Sequence, residues 1–510
     1  MNLHAVGWML GQVLFLLAGF LCVPALVAWH FGETREIWSC LVAAGISAVL
    51  GALLTWLNRG STLTADGHPN YFRREGLAVV GLVWLLASVV GGLPFLFSGV
   101  MTSPVDALFE AASGFTTTGS TVLSPEGIDG MPKAISFWRS FTHWLGGFGI
   151  VMVFVVLFPT GGRSLFRSEI PGIAREAGHH RVRDSALGLL RIYLGLSVIQ
   201  FVMLWVVMES WFDAAIHTFG TLATGGFSNL SSSVAGFDSF TVELIIVVFM
   251  LLAGVNFAVY DVILRKGPRA GWRGITGSLE VKTYLAIAVG TTLVIGFVLW
   301  LWGGSAGTSP ETLAPELAGI PDYRDLGRAL RDSLFQVVSV QTSTGYGTAD
   351  FDRWPEVCRM LLMMLATVGA CAGSTGGGIK VVRVLIVAKA AIVGVSRFVR
   401  PRAIHPIRID GQTLDNAVVS SVTGYFALWT LVLLGATVTI SFFGIDPVTS
   451  STAVLATLNN IGPGLAAVGP TLSFGELPEA VKLLLSLCMI FGRLEFYAVV
   501  ALFVPGFWKK

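Results

Sequence analysis

The chain has few charged residues and few cysteines. Asp, Glu, Lys and Arg make up only 13% of its 510 residues, whereas 54% are hydrophobic, and this composition excludes a soluble multidomain protein. The formal net charge of +2 gives no indication of a nucleic-acid or acidic partner. The five cysteines lie in or beside apolar segments without metal-ligand spacing, so we interpret them as small buried hydrophobic residues. What remains is a polytopic membrane protein.

Ten segments are apolar over the roughly 20 residues that a helix needs to cross a bilayer. They lie near residues 5–30, 37–57, 77–98, 135–158, 186–208, 240–264, 281–302, 355–395, 415–443 and 479–505. The first lacks the basic leader and small-residue cleavage site of a signal peptide, which favours a retained span. In the eighth, the glycine-rich stretch 369–380 predicts a broken helix. The sequence therefore predicts an all-α polytopic membrane protein with ten transmembrane helices.

Basic residues are concentrated in alternate connections. Most of the 33 Lys and Arg residues lie in 58–76, 159–183, 264–282, 380–413 and the C-terminal Lys509–Lys510. Such connections face the cytoplasm, which predicts that both termini are inside. Of the opposite connections, 303–334 is mixed, whereas the other three contain acids and no Lys or Arg. We expect these acids to form a negative outer vestibule that concentrates cations; they are Asp106, Glu110, Glu126, Asp129, Glu209, Asp213, Asp238, Asp446 and Glu476.

A fourfold internal repeat lies in the outer connections. In each copy an Asp or Thr precedes a loop glycine by thirteen residues, and the pairs are Asp106 with Gly119, Asp213 with Gly226, Asp332 with Gly345, and Thr449 with Gly462. Asp and Thr are good N-caps, so we expect each to begin an inward-running helix of nine or ten residues. A helix of that length cannot cross the bilayer and should be re-entrant.

Four such helices predict a cation site without an ionised side chain. Each leaves its carbonyl end near the membrane midplane, where it carries about half a negative charge. A glycine lets the following strand turn consecutive carbonyl oxygens inward, and rings of carbonyls can replace an ion's hydration shell. The third copy, with Ser-Thr-Gly-Tyr-Gly, is close to the Thr-Val-Gly-Tyr-Gly string of potassium channels. The predicted filter residues are Thr117, Thr118, Gly119, Ser120, Thr224, Gly225, Gly226, Phe227, Ser343, Thr344, Gly345, Tyr346, Asn460, Ile461, Gly462 and Pro463.

Across nearly its full length the chain resembles the Trk/Ktr/HKT superfamily of potassium transporters. The most specific matches are the strings 114–119, 223–227, 343–346, 459–464, 372–380 and 492–495. The resemblance implies four fused span, pore-helix, span units around one pore, here residues 70–160, 184–265, 281–400 and 413–510. The two extra spans in 1–60 indicate the TrkH/TrkG branch. Some members have serine at the first filter glycine and favour sodium, so Gly119 implies K⁺ as the transported ion, with no organic cofactor.

In that branch the resemblance also implies partners and a location. It implies a homodimer in which each protomer has its own pore. It further implies a cytoplasmic, TrkA-like ring of nucleotide-binding regulatory subunits. We expect the protein in the lipid bilayer of the bacterial cytoplasmic (inner) membrane, with no nucleic-acid partner.

The glycine-rich stretch in the eighth span superficially resembles a phosphate loop. It fails that test, because Ile379 separates Gly378 from Lys380 and no strand precedes it. The residues alone fit equally well a swinging gate below the filter or a glycine-mediated kink, whereas the resemblance implies an intramembrane gating loop. The predicted gating residues are Gly373, Ser374, Thr375, Gly376, Gly377, Gly378, Lys380 and Arg493.

Arg493 lies in the middle of the last span, where a lone cation is costly unless it is paired or hydrated. Glu495, two residues on, points to a different helix face, so carbonyls of residues 373–378 are better candidate partners. The alternatives are an arginine that snorkels or ties helices together, and an electrostatic barrier or latch under the filter, which the resemblance implies.

These features favour channel-like potassium uptake driven by the membrane potential. The alternative is a proton- or sodium-coupled potassium symporter, for which only Glu495, Asp261 and Glu243 lie near or within spans. An intramembrane enzyme is a third class, but no copy has a base within the glycine motif itself, and His143 and His217 are isolated. His179–His180 has no accompanying carboxylate or thiol cluster, so a solvated loop is favoured there over a metal site.

Overall fold

The computed structural model describes residues 1–59, 73–157, 179–306, 323–400, 405–494 and 496–508. The described residues are mostly helical, and their strands are a single two-stranded antiparallel hairpin, Arg408–Ile409 with Gln412–Thr413. The prediction of an all-α polytopic membrane protein is confirmed. Large apolar side chains such as Val206, Val289 and Leu431 are more than half exposed on the outside of the bundle, as expected for a surface that faces lipid.

Two N-terminal helices, α1 (Leu3–Phe31) and α2 (Thr34–Leu57), pack along one another. Small residues let their backbones approach closely, since a Cβ on Gly51 would lie 2.9 Å from the carbonyl oxygen of Gly11. The hydroxyl of Ser47 donates a 2.8 Å hydrogen bond to the carbonyl oxygen of Leu14. This pair packs on the first repeated unit.

The remaining helices are described here by the four repeated units that the sequence predicts. The first unit contains α3 (Arg73–Phe97), α4 (Pro104–Phe115), α5 (Pro125–Asp129) and α6 (Lys133–Leu157). The second contains α7 (His179–Met208), α8 (Trp211–Leu222), α9 (Phe240–Ala253), α10 (Phe257–Lys266) and α11 (Pro268–Gly277). The third contains α12 (Leu279–Ala306), α13 (Leu326–Gln341), α14 (Glu356–Thr367) and α15 (Val381–Val399). The fourth contains α16 (Asn416–Ser441), α17 (Pro447–Leu458), α18 (Glu479–Arg493), α19 (Phe496–Phe503) and α20 (Pro505–Trp508).

Within the described residues, six helices are long and apolar enough to cross a membrane: α1, α2, α16 and most of α3, α7 and α12. The pair α9 and α10 would make a seventh. The predicted spans 355–395 and 479–505 are each divided between two helices, and none of these four described helices is both long and apolar enough to cross a membrane. The total of ten spans therefore stays a prediction.

The predicted span 240–264 is not one straight helix, because α9 and α10 are bent by 88° at their junction. The side chain of Asn256 caps α10 by accepting a 2.9 Å hydrogen bond from the backbone N–H of Ala258. Backbone groups freed by the break are bonded elsewhere: the carbonyl of Gly254 accepts from the N–H of Cys371, and the N–H of Phe257 donates to the carbonyl of Gly373, both at 3.0 Å. Hydrogen bonds to a distant segment thus stabilise a break that the local sequence does not predict.

Candidate functional site

Four short buried helices, α4, α8, α13 and α17, converge inside the bundle. They have 12, 12, 16 and 12 residues and are longer than the expected nine or ten. Their N-caps are Ser103, Ser210, Asp325 and Asp446, whose side chains accept hydrogen bonds from the first turn.

The predicted caps Asp106, Asp213, Asp332 and Thr449 are therefore wrong, since all four lie inside their helices. In the first and fourth copies, Ser103 and Asp446 are each followed by a proline at the first helical position, where a missing N–H costs nothing. These pairs begin the helix before Asp106 and Thr449 are reached. The side chain and backbone N–H of Thr449 lower the pKa of the Asp446 carboxyl by hydrogen bonding, so this cap stays charged.

Each short helix ends four residues before its repeat glycine, and the chain then adopts one backbone conformation four times. We call residues 116–120, 223–227, 342–346 and 459–463 the four glycine loops. In each loop the residue two before the glycine is left-handed, with φ of 55°, 54°, 57° and 52° at Thr117, Thr224, Ser343 and Asn460. The glycines have φ of 84°, 79°, 82° and 106°. Left-handed non-glycine residues are costly and persist only where the surrounding structure imposes them. Their recurrence at the same position in all four copies therefore indicates a functional site.

The second loop contains adjacent glycines, and Gly226 is the one with positive φ. It therefore occupies the same place as Gly119, Gly345 and Gly462, whereas Gly225 contributes the preceding peptide. This register agrees with the pairing of Asp213 with Gly226 in the sequence repeat, and it aligns Phe227 with Tyr346.

The glycines bring the four loops together in a closed ring. A Cβ on Gly119 would overlap the carbonyl oxygen of residue 225 in the second loop. In the same way, a Cβ on Gly226 would overlap that of residue 344, and a Cβ on Gly345 that of residue 461. The ring closes where a Cβ on Gly462 would lie 3.1 Å from the carbonyl oxygen of Thr118. Each glycine is thus required by a carbonyl from the next loop, and the closure between the fourth and first loops is the loosest.

Side chains bridge the fourth and first loops at this closure. The hydroxyl of Ser120 donates to the carbonyl oxygen of Gly462 at 2.8 Å. The side-chain amide of Asn460 donates to the hydroxyl of Thr118 at 2.8 Å and to the carbonyl of Met489 at 2.9 Å. These bonds substitute for the closer backbone packing at the other three junctions.

Aromatic residues support the second and third loops from behind. The ring of Phe227 stacks on His143 with centroids 4.1 Å apart. The hydroxyl of Tyr346 reaches the second copy, with the carbonyl oxygens of His217 and Phe227 at 3.3 and 3.4 Å. Pro463, at the same position in the fourth loop, has neither an aromatic ring nor a hydroxyl. The four glycine loops are therefore supported unequally.

All four repeat glycines also line an outer cavity of about 90 Å³, together with Ser120, Phe227 and Pro463. The four glycine loops thus open into one common cavity.

The acids predicted to form a negative vestibule are partly neutralised. Glu110 is fully buried and pairs with Arg139, while Asp106 is 2.7 Å from the ammonium of Lys482. The vestibule is accordingly less negative than the sequence indicates.

The break in the third unit, residues 368–380, forms a loop that we call the inner loop. Val368 and Ile379 form a parallel bridge at its base, with the N–H of Gly369 donating to the carbonyl of Ile379 at 2.9 Å. At its tip the N–H of Gly377 donates to the hydroxyl of Ser343 in the third glycine loop at 2.5 Å. The inner loop thus packs directly against the inner ends of the glycine loops.

Arg493 is buried at the end of α18 and contacts the inner loop. Its Nη1 donates to the carbonyl oxygen of Thr375 at 2.8 Å, and its Nη2 donates to that of Gly146 at 3.2 Å. The ammonium of Lys380 donates to the carbonyl oxygen of Gly376. The structure therefore brings together the charged and glycine-rich groups that the sequence placed in one candidate gate.

A carboxylate fastens the base of the inner loop. Oε1 of Glu280, at the start of α12, accepts hydrogen bonds from the backbone N–H groups of Ala372 at 2.7 Å and Val382 at 3.3 Å. Residue 372 precedes the glycine run and residue 382 lies in the first turn of α15, so one side chain joins both ends of the loop.

Sequence reasoning missed Glu280, Arg139 and the bend between α9 and α10. Arg139 could have been found by the signal that singled out Arg493, since it is a lone arginine in an apolar segment. Glu280 begins its span and gives no such signal.

The other candidates have ordinary partners. Asp261 pairs with Arg265 at 2.8 Å and Glu243 with Arg331 at 2.6 Å, while Glu495 lies outside the described residues. Within the part of the chain that the structure describes, no group of three or more His, Cys, Asp or Glu could hold a metal ion.

A family profile, curated sequences and a solved structure all match this chain to the same family. The profile of the TrkH family, described as cation transport proteins, matches residues 49–510. The Trk system potassium uptake protein TrkH of Halomonas elongata is 34% identical, and that of Escherichia coli K12 is 33% identical, each over 100% of both chains. The crystal structure of the potassium transporter TrkH from Vibrio parahaemolyticus superposes with a TM-score of 0.86 at 32% identity, again over 100% of both chains.

Proposed function

The chain belongs to the TrkH family of cation transport proteins, and on that premise we propose that it takes up potassium ions through a channel-like pore whose selectivity filter is the four glycine loops. Its relatives are transport proteins of the membrane rather than enzymes. The full-length similarity to potassium uptake proteins supports potassium as the transported ion.

One observation carries this proposal, namely the closed ring in which each repeat glycine faces a carbonyl of the next loop. Four helix C-termini direct partial negative charge toward the ring. A potassium ion that sheds water there exchanges hydration for backbone carbonyls, without an ionised side chain that would bind it too tightly to leave. The membrane potential supplies the driving force, worth roughly 2.3 kcal/mol per charge per 100 mV.

The inner loop is the proposed gate. Its tip is hydrogen-bonded to Ser343 of the third glycine loop, and Arg493 binds its Thr375 carbonyl. A cation leaving the glycine loops toward the cytoplasm would therefore meet both the loop and a buried positive charge. Displacement of the loop tip would clear the path past the loop and break its bond to Arg493.

Coupled symport with protons or sodium is not favoured. Two of its three candidate carboxylates, Asp261 and Glu243, are engaged in ion pairs with neighbouring arginines. A coupling site needs a carboxylate that can exchange its partner during transport, and these pairs give no sign of that role.

The same resemblance supports an assembly, a location and an orientation. We propose a homodimer in the bacterial inner membrane that is regulated by a cytoplasmic TrkA-like ring of nucleotide-binding subunits. The naming of relatives as components of a Trk system fits a multi-subunit transporter. The basic connections support cytoplasmic termini, and the four repeated units would occupy 70–160, 184–265, 281–400 and 413–510.

The test is ion flux through the purified full chain in liposomes. We expect the flux to reverse at the potassium equilibrium potential at every pH and sodium concentration, and we expect Gly345→Val to abolish it. A reversal potential that moves with pH or sodium would establish coupled transport. Unaltered rate and ion preference in the Gly345 variant would overturn the filter assignment.

A further inference from the structure

A buried ion pair lies behind the first two glycine loops. Nε of Arg139, on α6, is 2.6 Å from Oε1 of Glu110, on α4, and the side chains are only 3% and 0% exposed. Both residues belong to the first unit, but their remaining contacts extend to two different loops.

Glu110 holds the segment that leaves the first loop. The hydroxyl of Thr121 donates to its two carboxylate oxygens at 2.9 and 3.1 Å, and the N–H of Val122 donates to Oε2 at 3.0 Å. Thr121 is separated from Gly119 by one residue, so the carboxylate fixes the chain immediately outside the ring.

Arg139 holds the segment that leaves the second loop. Its Nη1 donates to the carbonyl oxygen of Ser228 at 2.9 Å, and its guanidinium lies 3.6 Å from the ring centroid of Phe227. These are the two residues after Gly226. A single ion pair thus connects the exits of neighbouring loops.

The position of Glu110 has a related use in the other copies. It lies nine residues before the repeat glycine, and the equivalent residues are His217, Gln336 and Ala453. Nε2 of His217 is 3.1 Å from the hydroxyl of Ser228, and Nε2 of Gln336 donates to the carbonyl of Ala349 at 3.1 Å. The first three copies therefore brace the exit segment from one helix position, and the first alone does so with a charge pair.

We infer that the Glu110–Arg139 pair is a clamp that positions the first and second glycine loops and thereby determines ion preference. A buried pair of this kind is weak evidence for stability, because desolvation offsets much of the attraction between the charges. The pair contributes more to positioning, because the remaining hydrogen bonds of each partner go to the segment that leaves a glycine loop. This inference rests on the proposed filter function.

The experiment compares Glu110→Gln and Arg139→Lys with a matched pair elsewhere in the chain. Arg331 and Glu243 form a bidentate pair at 2.6 and 2.8 Å between α13 and α9, and within the described residues this pair is not hydrogen-bonded to a glycine loop. Purified variants are reconstituted in liposomes, potassium and sodium fluxes are measured separately, and thermal unfolding is followed in parallel.

We expect Glu110→Gln to lower the ratio of potassium to sodium flux about tenfold, the change equivalent to 1.4 kcal/mol. Arg139→Lys, which keeps the charge but not the planar fork, should lower it less. The controls Glu243→Gln and Arg331→Lys should lower the unfolding temperature without changing the ratio.

A third variant covers the case in which the first two do not fold. Thr121→Val removes the hydroxyl that donates to both carboxylate oxygens of Glu110 while leaving the charge pair intact, and we expect a smaller fall in the same ratio. Unchanged ion preference in every folded clamp variant, with Gly345→Ala impaired in the same assay, would overturn the clamp while leaving the filter intact. If Gly345→Ala also has no effect, the filter itself is refuted.

Discussion

Arg493 binds two carbonyl oxygens that belong to different units of the chain, Thr375 in the inner loop at 2.8 Å and Gly146 in α6 at 3.2 Å. A side chain from the fourth unit therefore ties the third unit to the first. Because guanidinium donors are arranged in a fixed fork, the loop tip cannot move away without losing at least one of these bonds.

Arg493→Ala should increase potassium flux without changing ion preference. A hydrogen bond to a charged group is worth roughly 1.5–3 kcal/mol, so its loss should raise the population of displaced loops about tenfold or more. Flux in liposomes is the measurement, and Arg493→Lys, which can still donate to one carbonyl, should have a smaller effect. Unchanged or lost flux in a folded Ala variant would count against the gate.

Glu280→Ala should loosen the base of the inner loop, since two backbone N–H groups lose their shared acceptor. Buried donors without partners cost roughly 1–3 kcal/mol each, so we expect a lower unfolding temperature and a raised flux. Glu280→Gln keeps a carbonyl acceptor and should be milder. The control is Glu356→Gln, because that carboxylate is exposed and pairs only locally with Arg359. Equal behaviour of Glu280→Ala and Glu356→Gln would refute the role of Glu280.

Alanine substitutions can separate backbone strain from crowding in the ring. Gly345→Ala adds a Cβ that overlaps a neighbouring carbonyl, Gly462→Ala meets one only at 3.1 Å, and Gly444 has φ of 78° with open space around it. Strain alone costs roughly 1–2 kcal/mol. We expect potassium flux to be abolished in the first variant, reduced in the second and retained in the third. A uniform loss across all three would show that strain rather than ring packing decides the outcome.

Tyr346→Phe should be nearly silent. Its hydroxyl lies 3.3 and 3.4 Å from the carbonyl oxygens of His217 and Phe227 and also hydrogen-bonds to Thr221. All three partners are neutral, so the loss should cost about 0.5–1.5 kcal/mol of stability per bond without changing the charge near the glycine loops. The buried aromatic ring remains and still packs between the second and third units. Thermal unfolding and the potassium to sodium flux ratio are the measurements, and a large change in the ratio would place the hydroxyl among the groups that determine ion preference.

The helical fold and the family could be predicted because they depend on signals local in the sequence. Apolar length gave the membrane helices, and the offset of each glycine from a preceding polar residue gave the four short helices. Gly226 could be chosen over Gly225 because Phe227 then aligns with Tyr346. The assignment of these loops as an ion filter stays a prediction until flux is measured.

What could not be predicted depends on contacts between distant segments. The bend after Ala253 exists because the inner loop, more than a hundred residues later, supplies bonds to its backbone. Glu110 looked like a vestibule charge because its partner Arg139 lies on another helix. The helix starts were misplaced by three residues in the first, second and fourth copies and by seven in the third, because each copy contains an earlier capping residue. In the first and fourth copies a proline directly after that residue also favours the earlier start.

The loose junction between Gly462 and Thr118 has an evolutionary consequence. In a pore assembled from four identical chains, every mutation changes all four walls at once. In the pore proposed here a single polypeptide supplies each wall from its own stretch of sequence, so a mutation alters one wall and leaves the other three unchanged. The fourth loop departs furthest from the others, with asparagine where its counterparts have a hydroxyl residue and proline where they have serine, phenylalanine and tyrosine.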